Sequence, residues 1–324
     1  MRRRPAQKDG MKTPGLRCIA ALLFSAWLAR SPALRAEDYK YEPTHADVRY
    51  GQYDRDVLDV FEVKTAKPAP VVIYFHGGGW LGGDKKSIDP APYLQLGIAV
   101  VTANYRFTQG TPDAAPFPAP MLDAARAVQF VRSKAREWNI DPTRIDLTGS
   151  SAGAVICMWI AYHDDLAQPR SPDPVERFST RVTCITPQSG PTTLDPKLIH
   201  QRVGGDPKAI GALLPFFGVR SVEELDTPGK QKLVVDASPI THVTRNAPPT
   251  FMTYEFPLGR TPLPENASSN ESIHNPEFGL MLKEKLDPLG VENVLHTKGD
   301  GLDPDAPRNF LLKHLKPEAV PSVK

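Results

Sequence analysis

The chain has 324 residues, 40% hydrophobic and 23% charged, with a formal net charge of +2. That size holds one large α/β domain or two small ones, and the composition is that of a globular protein rather than a disordered or fibrous one. A balance this close to neutral, with much of the basic excess in the first residues, argues against nucleic acid or another polyanion as partner.

Arg2, Arg3, Arg4, Lys8, Lys12 and Arg17 open the chain, and an apolar run from Cys18 to Ala29 follows, broken only by Ser25 and closed by Arg30. Such a run is too short to span a bilayer but matches the core of a secretory signal. Ala33 and Ala36 precede Glu37. Residues 1–36 are therefore expected to be a signal peptide cut after Ala36, with 37–324 one domain, exported to the periplasm or beyond and without a stable membrane span. Two alternatives stay open: a start at Met11, and an uncleaved membrane anchor. The arginine run lacks the hydrophobic pattern that a twin-arginine signal carries.

Short β-branched runs then alternate with helical stretches. Strands are expected at Val71–Phe75, Ile98–Thr102, Ile145–Leu147, Val182–Ile185, Thr250–Tyr254 and Val291–His296. Helical spacing of Ala124, Ala127, Val128 and Val131 predicts a helix from Pro120 to near Trp138; others are expected at Ser151 to about Tyr162 and at Phe278–Leu289. The alternation argues for a mostly parallel sheet covered by helices. The Gly- and Pro-interrupted stretch from Gly190 to Val243 breaks the rhythm and reads as an insertion or lid above the sheet. With Cys18 in the leader, Cys157 and Cys184 remain, both in apolar surroundings, and are expected as buried free thiols.

The strongest chemical signal is Ile145-Asp146-Leu147-Thr148-Gly149-Ser150-Ser151-Ala152-Gly153, a strand entering G-x-S-x-G and then an apolar helix. The two glycines permit a turn so tight that side chains there would meet neighbouring backbone, and the turn exposes the Ser151 hydroxyl as a nucleophile. Ser150 is one residue out of register. Upstream, His76-Gly77-Gly78-Gly79-Trp80 directly follows a strand. Acyl transfer develops negative charge on a carbonyl oxygen, and amides around Gly78 and Gly79, with that of Ala152, are expected to form the oxyanion hole. His76 is expected to order this loop rather than to act as a base. Trp80, Tyr105, Phe107, Phe216 and Phe217 could line a pocket or simply pack the core.

On these residues the sequence resembles the hormone-sensitive-lipase-type and feruloyl-esterase-like branch of the α/β hydrolases. The likeness rests on HGGGW with Gly83-Asp84-Lys85, Asn104-Tyr105-Arg106, the Asp123 helix, Asp141-Pro142, GSSAG, and Ser238-Pro239-Ile240 leading to Pro248-Pro249. It covers roughly residues 45 to 315. It implies an α/β-hydrolase fold and hydrolysis of carboxylic esters, borne by a small molecule or a glycan, through a serine acyl-enzyme with no metal or cofactor.

The second half departs from that pattern. The family's acid stands shortly before a proline that Pro264 matches, and here Arg260 takes its place; its histidine stands where this chain has Asp300, in Lys298-Gly299-Asp300-Gly301-Leu302. Asp300 facing Arg260 would keep the contact between the two loops with reversed polarity while removing the proton acceptor. The candidate replacement bases are His296, on the last strand four residues before Asp300 (~13 Å if extended), and His274, beside the acid loop. Glu255 and Glu265 are the candidate acids, and His314 is expected at the surface. An active exported esterase and a catalytically impaired hydrolase that binds a small ester, acid or glycan fragment both fit these residues. The sequons at Asn266 and Asn270 matter only in a glycosylating host.

Overall fold

The computed structural model describes residues 41–206 and 211–317, so the expected signal segment lies outside the described residues. The strands in chain order are β1 His45–Arg49, β2 Val57–Phe61, β3 Ala69–Phe75, β4 Ala99–Ala103, β5 Ile140–Ser150, β6 Cys184–Gln188, β7 Thr250–Tyr254 and β8 Asn293–Thr297. They form one sheet in the order β1-β2-β4-β3-β5-β6-β7-β8. β1 and β2 pair antiparallel with each other, and β2 with β4; every pairing from β4 to β8 is parallel.

β3 (APVVIYF) and β4 (AVVTA) are buried at every position. Strands with no polar face need cover on both sides. The helices supply it: α1 Ala91–Leu94, α2 Ala119–Ser133, α3 Ala152–Tyr162, α4 Pro196–Arg202, α5 Leu213–Phe217, α6 Pro228–Ala237, α7 Ser269–Ile273, α8 Glu277–Leu286 and α9 Ala306–Leu315. Alternation sends Val71, Ile73 and Phe75 into the larger core with α2 and α3, while Val72 joins Ile98, Phe251 and the α9 residues Phe310, Leu311 and Leu315 on the other face. α3 is buried along its whole length, as its apolar sequence AGAVICMWIAY requires.

The α/β-hydrolase fold expected from the sequence is the one present, with differences at the ends of elements. β1 and β2 were not foreseen. β1 (HADVR) has no buried residue, so it carries no strong hydrophobic alternation. β5 starts at Ile140, five residues early, with a register break against β3 between Ala69 and Val71. α2 stops at Ser133, and Trp138 is buried from the turn beyond it. Cys157 and Cys184 are free and buried. The Gly190–Val243 stretch, expected as an insertion, holds α4, α5 and α6. Among the described residues, no helix is long and apolar enough to cross a membrane.

One ion pair fixes the loop after β4. The Arg106 guanidinium donates to Asp123 at 2.8 and 2.7 Å, and the Arg106 amide adds a bond of 3.1 Å. This ties the Asn104-Tyr105-Arg106 segment to α2 and steadies the loops at the C-terminal edge of the sheet, where ligands meet open α/β sheets.

Candidate active site

Ser151 joins β5 to α3 in a backbone conformation that L-residues seldom adopt, with φ 54° and ψ −116°. Strain of this kind costs ~1–3 kcal/mol and persists only where the surroundings enforce it. Here they do. The Ser151 amide donates to Gln188 O at 2.9 Å, and its carbonyl accepts from the Val155 amide at 3.1 Å. A Cβ on Gly149 would stand 2.5 Å from Phe75 O, and one on Gly153 would fall on the carbonyl oxygens of Phe75 and His76. Backbone packed on backbone has nowhere to move, so these two positions exclude any side chain.

The loop after β3 runs through Gly78 (φ 103°), Gly79 (φ 61°) and Trp80 (φ 58°). Three left-handed residues in succession turn the chain back over the elbow, and Gly79, Trp80, Ser151 and Ala152 line one cavity. Ala152 opens α3, and a first-turn amide has no acceptor within its own helix. The glycine loop and the first turn of α3 thus border the same cavity as Ser151.

His76 holds the glycine loop and has no role as a base. Arginine only donates, so the 3.0 Å contact from Arg55 Nη2 makes His76 Nε2 the acceptor, and His76 Nδ1–H donates to Gly77 O at 2.7 Å. Burial lowers its pKa from the usual imidazole value to about 4. Tyr105 stacks on the ring with centroids 4.3 Å apart and donates from its hydroxyl to His76 O at 2.7 Å. Arg55 also reaches Tyr105 O and Gly83 O, with Phe107 against its guanidinium.

The imidazole that meets Ser151 is His274. Its Nε2 lies 2.9 Å from Ser151 Oγ, and its Nδ1 lies 2.8 Å from Asn270 Oδ1. With the Asn270 carbonyl as acceptor, Nδ1 carries the hydrogen and Nε2 presents its lone pair to the serine hydroxyl. Asn270 and His274 are four apart, and α7 brings them onto one face. The Ser268 side chain caps this helix by accepting from the Glu271 amide at 3.1 Å. Burial lowers the pKa of His274, and the charge on Glu255 opposes that shift.

The cavity over Ser151 has a volume of about 40 Å³ and mostly apolar walls. Leu194, Ile199, Ala212 and Leu213 come from the 190–243 insertion, and Ile273 and Phe278 from the other side. Trp80 Nε1 is buried with no hydrogen-bond partner among the described residues. Of the other aromatic candidates, Tyr105 and Phe107 brace His76, and Phe216 packs against Trp80 at 4.1 Å. The site has the polarity and geometry for acyl transfer, with a hydroxyl, a neutral imidazole and two glycine-rich turns around an apolar slot.

Several sequence expectations need correction. His296 does not serve Ser151; its Nδ1 is bound to Asp300 at 2.9 and 3.0 Å. Nor does Asp300 face Arg260. It closes its own turn, accepting from the Thr297 and Leu302 amides at 2.7 and 2.9 Å, whereas exposed Arg260 pairs with Glu271 at 3.5 Å. The expected acid and histidine positions are thus a surface cation, Arg260, and a turn-forming carboxylate, Asp300, and the histidine opposite the serine caps the C-terminal end of α7. Glu255 and Glu265 are exposed. His314 packs on Phe310 and contacts Glu292 at 3.3 Å. In the sequence Asn270 stands out only as part of a sequon. Its signal lay in Ser268-Ser269-Asn270-Glu271, a capping-box pattern that predicts a short helix and sets Asn270 over His274.

A family model described as BD-FAE matches residues 58–255. Among curated proteins, the probable carboxylic ester hydrolase LipM of Mycobacterium tuberculosis is 28% identical over 261 residues, covering 78% of this chain and 53% of LipM. The chain thus spans about half the length of that relative. Among solved structures, an acetyl ester-xyloside bifunctional hydrolase from Caldicellulosiruptor lactoaceticus superposes with a TM-score of 0.61 at 24% identity, over 86% of this chain and 95% of that one. A truncated carbohydrate esterase from gut microbiota gives 0.65 at 19% identity, over 86% and 98%.

The elbow geometry is open to a direct test. Gly153→Ala places a methyl against two fixed carbonyl oxygens and should cost about 3 kcal/mol in urea unfolding; unchanged stability would mean that β3 and α3 do not approach this closely.

Proposed function

The chain belongs to the BD-FAE family of α/β hydrolases, and from that premise we propose that it is a serine ester hydrolase with Ser151 as nucleophile, His274 as general base and Asn270 as the group that orients the base. The observation that carries this reading is the 2.9 Å contact between His274 Nε2 and Ser151 Oγ beneath the glycine loop. Ser151 Oγ attacks the ester carbonyl carbon while His274 takes the hydroxyl proton. The carbonyl oxygen, now negative, is held by amides of Gly79 and Ala152, with Gly78 shaping the loop. His274 then protonates the leaving alcohol, and water repeats the sequence to release the acid.

The small apolar cavity supports a short acyl group, such as acetyl, on a small alcohol or a glycan. Neither a metal nor a cofactor enters this chemistry. Asn270 gives specific support to a second reading, an impaired hydrolase that holds a small ester, acid or glycan fragment. A neutral amide fixes the tautomer but stabilises the imidazolium less than a carboxylate does. Export is part of the proposal on the strength of the N-terminal sequence alone.

Labelling with a fluorophosphonate probe separates the two readings. An active enzyme labels rapidly, loses all labelling in Ser151→Ala, and slows by at least ~10³-fold in His274→Ala; it also turns over acetate esters in preference to octanoates. A folded protein that binds a short carboxylic acid but resists the probe would leave only the second reading.

The role of Asn270 shows in the pH profile. Only neutral His274 accepts the proton, so kcat/KM rises as pH rises through its pKa. Burial lowers that pKa, placing the acid limb below the ordinary imidazole value of ~6.5. In Asn270→Asp the new carboxylate favours the imidazolium and should move the limb up by ~1 pH unit or more. An unmoved limb would remove Asn270 from the proposal. For export, the N-terminus of the secreted protein, read by mass spectrometry, is expected at Glu37; recovery of an intact leader in a membrane fraction would favour the anchor.

A further inference from the structure

α3 begins beside Ser151 and ends at Tyr162, ~16 Å away by the rise of its 11 residues. At that far end three potential ligands converge from separate segments. His163 follows α3, Asp236 lies in α6, and His242 ends the 3-10 turn Pro239–His242. One donor atom from each lies within 4.8 Å of the other two. Asp236 Oδ1 is 3.5 Å from His163 Nε2 and 3.8 Å from His242 Nε2.

The cluster is built into the fold rather than being a chance meeting of surface side chains. All three residues are half-buried. Trp159 Nε1–H donates to Asp236 O at 2.8 Å, which locks α6 onto α3 beneath the cluster. The His163 ring packs between Trp159, at 4.5 Å, and His242, at 4.6 Å. His163 Nδ1 faces the Asp164 carbonyl at 3.3 Å, a contact that holds the ring and leaves Nε2 as the ligand nitrogen. Thr241 Oγ1 lies 2.7 Å from both Val235 O and Ser238 O, and its single hydrogen is donated between these two carbonyls, fixing the turn that carries His242.

Tetrahedral zinc with bonds of ~2.0–2.1 Å sets its ligand atoms ~3.3 Å apart. The two carboxylate–imidazole separations need close by only a few tenths of an ångström to reach that value. We infer that His163, Asp236 and His242 form a binding site for a divalent transition ion of the zinc class, held by two imidazole nitrogens and one carboxylate oxygen with water completing the shell. Nitrogen-rich donors of this kind suit Zn²⁺, Co²⁺ or Ni²⁺ and not Ca²⁺ or Mg²⁺. The protein gives up one contact for it, the 2.7 Å bond from His242 Nε2–H to Asp236 O. At this distance from Ser151 the ion takes no part in ester chemistry. It clamps the end of the serine-bearing helix to the insertion that walls the acyl pocket.

Titration of the tag-free chain with Co²⁺ tests the site. One equivalent should saturate, with visible absorption of nitrogen–oxygen coordination and no thiolate band, since Cys157 and Cys184 are buried. Zn²⁺ should displace the Co²⁺ and raise the melting temperature. In His163→Ala/His242→Ala, checked for folding by circular dichroism, affinity should fall at least ~100-fold and the thermal shift should vanish, with fluorophosphonate labelling unchanged. Asp236→Asn, nearly isosteric, should weaken binding in the same direction. Absence of one-equivalent saturation, or binding that survives all three substitutions, overturns the proposal.

Discussion

The site depends on one close approach of backbone to backbone. The last turn of β3 sends the carbonyls of Phe75 and His76 against Gly149 and Gly153, leaving no room for a β-carbon on either side. That contact fixes the elbow relative to the glycine loop, because the loop is the direct continuation of β3. It also enforces the unusual φ of Ser151, since the chain must leave β5 and enter α3 within a single residue. The parallel β3–β5 pairing, in register from Val71 with Ile145 to Phe75 with Gly149, delivers both loops to the same edge. Sheet, elbow and glycine loop are thus consequences of one steric fit.

Around that fit the polar groups divide the work. Arg55, His76 and Tyr105 are spent on holding the glycine loop, and burial keeps His76 uncharged so that it can accept from the arginine. A second set clamps the loop from behind. Lys85 meets Asp59 at 2.5 Å and Asp47 at 2.9 Å, and Asn104 Oδ1 accepts from the Lys85 amide at 2.7 Å. Buried charges at these positions are tolerated because each has a partner. The resemblance motifs NYR and GDK are therefore largely a scaffold for the glycine loop, whereas the side chains proposed to react sit elsewhere.

The sequence disclosed those parts whose chemistry is local. Strands such as VVIYF and a helix such as AGAVICMWIAY can be read from their own residues, and G-x-S-x-G gains its meaning from the strand and helix beside it. The histidine was legible only as one of two candidates, His296 and His274, with nothing in the sequence to choose between them. Counting along the chain to the loop after β8 leads to Asp300, which the fold uses to close a turn. What decides the matter is a contact between residues 123 apart, His274 with Ser151, and no local pattern encodes it. Only its support is local: the Ser268 cap, the single turn of helix, and Asn270 four residues before the histidine. β1 escaped for the opposite reason, because an exposed edge strand needs little hydrophobic pattern to be stable within a sheet.

The position of His274 frees the end of the chain. Every group proposed to touch the ester is supplied between the glycine loop and α7, so β8, α9 and the turn between them bear no reacting atom. In a fold that draws its histidine from after β8, that turn must hold its length and shape within a fraction of an ångström. Here it answers to the Asp300 carboxylate that closes it and to the packing of Phe310, Leu311 and Leu315 beneath the sheet. With His274 as the proposed base, the 298–305 segment outside Asp300 is free of the reaction's geometric demands, and the chain's evolvable edge lies there.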